Sequence, residues 1–87
     1  QRLRTQAASE RLALLLEQYG LQPQGGCALF QWLMTEHAET LHVFMARRGI
    51  LLRLFTHNSS LRFGLPAEEA DWTRLASALE AFAGERQ

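Results

Sequence analysis

The chain is expected to fold as an α+β domain, a short three-stranded sheet with helices packed on one face, in the order α-β-α-β-β-α. Three observations carry this. Helical apolar stripes open and close the chain, strand-length apolar runs lie between them, and glycine or turn residues separate each element from the next. The 87 residues are expected to make one domain, 1–87, with no internal repeat, linker or low-complexity tract.

In the first segment Leu12, Leu15, Leu16 and Tyr19 recur at helical spacing, Gly20 supplies a stop and Pro23 lies just beyond. GLQPQGG reads as a loop, with Gly25-Gly26 as a turn. CALFQWLM is a continuous apolar run and is expected to be a strand over 27–33. Thr35 is placed to cap the next helix, whose apolar face is Ala38, Leu41, Phe44 and Met45. Arg47 and Arg48 fall in its last turn, where cations complement the dipole, and Gly49 ends it. ILLRLF (50–55) and LRFGL (61–65) are the second and third strands, joined by the turn-rich THNSS. Pro66 is expected to open the last helix, with Glu68, Glu69 and Asp71 in its first turn. Trp72, Leu75, Ala76, Leu79 and Phe82 form its buried stripe, and Gly84 its end.

Composition excludes several classes. Formal net charge is zero, which gives no broad attraction to nucleic acid or to anionic lipid. No apolar run approaches the roughly 20 residues of a membrane span. The single Cys27 permits no internal disulfide, suits a reducing cytoplasm and reads as a small hydrophobe. His37 and His42 lie five apart on one helix, on different faces, and His57 sits in a turn, so no metal site is expected. All nine basic residues are arginine, and chemistry that needs a lysine amine cannot be completed by this chain. The opening QRLRTQAASERL has no initiator methionine and already has the pattern of mid-helix. A piece of a longer protein, or the loss of a tag or initiator residue, accounts for that.

Two arginines interrupt the apolar strands. Period-two alternation puts Leu61, Phe63 and Leu65 on one face and Arg62 on the other; Arg53 likewise opposes Ile50, Leu52 and Leu54. If the two strands pair around THNSS, both arginines fall near the side of the sheet that the helices leave bare. Each is then a solvated strand residue, a partner of an acid such as Glu68, or a fork that grips a carboxylate or phosphate.

GGCALFQWL, RRGILLRLF, and LRFGLP followed by EADWTRLASAL together resemble the C-terminal small domain of fold-type I PLP-dependent enzymes. Within that superfamily the likeness is to the cobalamin-biosynthesis branch, the threonine-phosphate decarboxylases, relatives of histidinol-phosphate aminotransferases. The resemblance implies that Arg62 binds a substrate carboxylate and that Arg53 lies near the substrate phosphate. It implies PLP in the parent enzyme, a phosphorylated amino acid as substrate, a large domain missing from this chain and a homodimeric parent in the cytoplasm. It implies decarboxylation of L-threonine O-3-phosphate or, as the rival, transamination of a histidinol-phosphate-type substrate. The segment between the two arginines is shorter than the resemblance leads one to expect in histidinol-phosphate relatives, a departure that bears on the phosphate role of Arg53. With no lysine, this chain alone is expected to hold no PLP and to be non-catalytic. A free-standing α+β module that binds an anion or a partner is the reading from another class.

Overall fold

A computed structural model describes residues 2–85; Gln1, Arg86 and Gln87 lie outside it. The chain runs through α1 (Arg2–Gln18), β1 (Gly25–Cys27), β2 (Phe30–Met34), α2 (Ala38–Ala46), β3 (Arg53–Phe55), β4 (Ser60–Gly64) and α3 (Glu69–Glu85). The strands form one antiparallel sheet in the order β1-β2-β4-β3. It therefore has four strands where the sequence predicts three.

The extra strand comes from the segment read as a single run. CALFQWLM is broken by a two-residue turn at Ala28-Leu29, and Gly25 to Cys27 folds back along Trp32 to Phe30. The Gly25-Gly26 pair is an edge strand rather than a turn. Gly26 suits the place because a Cβ there would lie 2.6 Å from Gln31 Oε1 and 2.7 Å from the Phe30 carbonyl oxygen. A buried polar bridge holds this hairpin to α1. Gln31 Nε2 donates to the Ser9 carbonyl and hydroxyl, and the Ser9 hydroxyl donates to the Cys27 carbonyl. That satisfies Gln31 in the interior, where an unpaired amide would be costly.

Alternation sorts the sheet into two faces. Gln31, Leu33, Leu61 and Phe63 are buried beneath the helices, with α1 against β1 and β2 and α2 against β3 and β4. Helix α3 packs on α2, and Phe44 meets Phe82 edge to face at 5.2 Å. The core joins Leu12 and Leu16 of α1, Leu41 and Met45 of α2, and Trp72, Leu75, Ala78, Leu79 and Phe82 of α3. Ala78 is buried, while Ala76 of the expected stripe is only partly so.

Element ends follow local chemistry. Gly20 and Gly49 stop α1 and α2 with φ of 81° and 78°, a region open to glycine. Arg47 is the cap residue of α2 rather than part of its last turn, and Arg48 just beyond donates from Nη1 to the Phe44 carbonyl. Thr35 does not cap α2 as expected. Its hydroxyl accepts from the His37 amide in a turn, and the helix starts at Ala38. Pro66 does not open α3 either. The helix begins at Glu69, and Asp71 accepts the backbone N–H of Glu68, half of a capping box. Gly84 lies inside α3, which reaches Glu85. Strand β3 covers only the last three residues of the expected 50–55 run.

Candidate anion-binding site

On the face without helices, strand register assembles a row of four residues across the sheet. Gly25 of β1 opposes Trp32 of β2, Trp32 opposes Arg62 of β4, and Arg62 opposes Arg53 of β3. Phe30 lies beside the row opposite Gly64, and Phe55 lies on the other side opposite Ser60. The loop that turns β3 into β4 is tied down, which holds this register. The Thr35 amide donates to the Ser59 carbonyl, and the Ser59 hydroxyl donates back to the Thr35 carbonyl at 2.6 Å.

Two like charges directly opposite on paired strands destabilise a sheet. Among the described residues no acid relieves them. The ion pairs there join Arg11 to Glu69 and His37 to Glu36, and neither involves Arg53 or Arg62. Glu68, the acid considered as a partner from sequence, makes no ion pair with either. The guanidinium groups meet aromatic rings instead. Arg62 Cζ lies 4.9 Å from the centre of Phe30 and 5.9 Å from that of Phe55, and Arg53 Cζ lies 5.5 Å from Phe55. Arg62 is half-buried and Arg53 exposed. The result is a positive, aromatic-floored surface whose N–H forks are free among the described residues, suited to carboxylate or phosphate oxygens.

Both predicted arginines thus share one face and one row. The aromatic floor was missed. The continuous apolar run hides the alternation that sends Phe30, Trp32 and Met34 outward and Gln31 and Leu33 inward. The signal was Gln31: a polar residue in mid-strand, whose partner on α1 no local pattern announces.

Two of the other candidates border this face: Cys27 opposes Phe30 at the sheet edge away from Arg53, and the His57 ring meets Phe55 edge to face at 6.2 Å. Cys27 is an exposed free thiol on the edge strand. Among the described residues no group of His, Cys, Asp and Glu could hold a metal ion, and no helix is long and apolar enough to cross a membrane. The residues of this chain do not fit a site that holds PLP covalently, because that attachment needs a lysine amine and the sequence has none.

No family model matches the chain. Over 76 residues, 87% of its length, it is 54% identical to a threonine-phosphate decarboxylase of Pseudomonas aeruginosa, of which it spans 23%. Its fold matches part of a crystal structure from Burkholderia pseudomallei, a protein provisionally described as an aminotransferase. The TM-score is 0.78 and the identity 27%, over 91% of this chain and 25% of that one. The chain therefore spans about a quarter of each relative. The likeness to threonine-phosphate decarboxylases carried by RRGILLRLF and LRFGLP is shown by the first match, and the aminotransferase-like fold by the second.

Proposed function

We propose that this homologue of a threonine-phosphate decarboxylase is the substrate-binding small domain of a longer PLP-dependent enzyme, one that decarboxylates L-threonine O-3-phosphate in cobalamin biosynthesis. The observation that carries the reading is the Arg53–Arg62 pair, opposed across β3 and β4 on the uncovered face with no ion pair to an acid among the described residues. A substrate with a carboxylate and a phosphate brings two anionic groups, and two adjacent guanidinium groups suit that pattern. Arg62 grips the carboxylate through its planar fork, and Arg53 helps hold the phosphate. Between them they set the substrate's rotation about Cα, which selects the bond that breaks.

On this reading the cofactor and its lysine belong to the remainder of the polypeptide, and the parent is a cytoplasmic homodimer. The fold match to an aminotransferase supports a second reading, transamination of a histidinol-phosphate-type substrate on the same arginine face. Product analysis separates the two, since only decarboxylation releases carbon dioxide.

The test is Arg62→Lys in the full-length protein, with turnover and thermal melting measured on the same sample. Lysine keeps the charge and loses the fork. A charge-assisted hydrogen bond contributes about 1.5–3 kcal/mol, so kcat/KM should fall roughly ten- to hundred-fold. The melting temperature should hold, because the side chain leaves the core face untouched. Near-normal turnover would return Arg62 to the role of a solvated strand residue, and an equal loss of stability would make it structural.

A further inference from the structure

We propose that Phe30 and Phe55 are positioning residues for Arg62, holding its guanidinium by their ring faces so that its N–H edges stay open to an anion. This rests on the reading of Arg62 as the carboxylate-binding residue.

Comparison among the ring-contacting arginines carries the inference. Arg11 lies 4.1 Å over Trp72, but its Nη1 and Nη2 both donate to Glu69, at 2.8 and 3.0 Å. Arg48 lies 3.5 Å over Phe44 and donates to the Phe44 carbonyl. In Arg11 the protein itself uses both ends of the fork, and in Arg48 one of them. Arg62 has ring contacts to Phe30 and to Phe55, which it shares with Arg53, and neither Arg62 nor Arg53 has a hydrogen bond or ion pair among the described residues. The two rings reach it from opposite sides. Phe30 sits diagonally on β2, one register step toward Gly64, and Phe55 diagonally on β3, one step toward Ser60. Gly64 leaves the space opposite Phe30 empty: a Cβ there would meet nothing within 4 Å. An acid in place of a ring would fix the guanidinium equally well, but it would cancel the charge and occupy the fork. A ring face attracts the cation and leaves both intact.

The experiment uses the full-length protein, with L-threonine O-3-phosphate as the probe. In Phe30→Leu and, separately, Phe55→Leu, the apparent KM should rise about two- to five-fold per ring, the worth of an exposed cation–π contact. The kcat should stay within about two-fold, and Phe30→Tyr should restore KM because it keeps the π face. Arg62→Lys is run alongside. If it impairs turnover while both leucine variants keep the native KM, the positioning role is overturned and the reading of Arg62 stands. The role is likewise overturned if the tyrosine variant is as impaired as the leucine one. If Arg62→Lys is itself silent, the reading of Arg62 fails and the positioning role falls with it.

Discussion

The two faces of the central sheet are built from the same strands and obey different rules. On the covered face Leu33, Leu61 and Phe63 are at most 2% exposed, and the one polar residue, Gln31, has its bonds to Ser9. Every local choice there agrees with burial. One residue along each strand, the other face sets Arg62 directly against Arg53 and lays Phe30, Trp32 and Phe55 half-buried beside them. A sheet selected for stability alone would not oppose two cations. Such a local violation, maintained without a compensating acid among the described residues, is expected where a surface serves a ligand.

The sharpest way to break this comparison is to exchange losses between the faces. Phe63→Ala empties the packed side and should cost about 3–5 kcal/mol in urea unfolding, while turnover per folded molecule is retained. Arg62→Lys should do the reverse, losing activity at constant melting temperature. If both variants lost stability alike, the two faces would be one structural unit and the distinction would collapse.

A smaller effect separates the two glycines of the edge strand. Gly26→Ala drives a Cβ against Gln31 and the Phe30 carbonyl and should cost about 1–3 kcal/mol by denaturant midpoint. Gly25→Ala meets nothing within 4 Å and should stay within about 0.5 kcal/mol of the parent. Equal costs would mean that the Gln31–Ser9 bridge does not set the hairpin's position.

The smallest effect has the opposite sign. Arg53→Gln removes one of two opposed cations and should stabilise the sheet by about 0.2–1 kcal/mol; on the proposed reading it should also raise the KM for L-threonine O-3-phosphate in the full-length protein. A destabilised variant would show that Arg53 has a structural partner after all.

Much of this was legible locally. Helical spacing picked out Leu12, Leu16, Leu41, Met45, Trp72, Leu75, Leu79 and Phe82, all of them buried. Gly20 and Gly49 end α1 and α2 as their missing Cβ allows. Alternation alone put Arg53 and Arg62 opposite the core residues of their own strands. These features depend on neighbours within a few positions, which is the range over which backbone period and glycine chemistry act. The four-strand count was not legible. A run such as CALFQWLM carries no strong breaker, and its fold-back depends on Ser9, 22 residues away from Gln31, to satisfy the buried amide. Nor did sequence announce that Arg11 would pair with Glu69, 58 positions on. Local pattern in the sequence by itself settles the buried stripes of the helices and the side of its strand that each arginine takes. The tertiary structure decided the register that sets Arg53 against Arg62 and brings Phe30 and Phe55 beside them, because strand pairing and buried hydrogen bonds join segments that no local period connects.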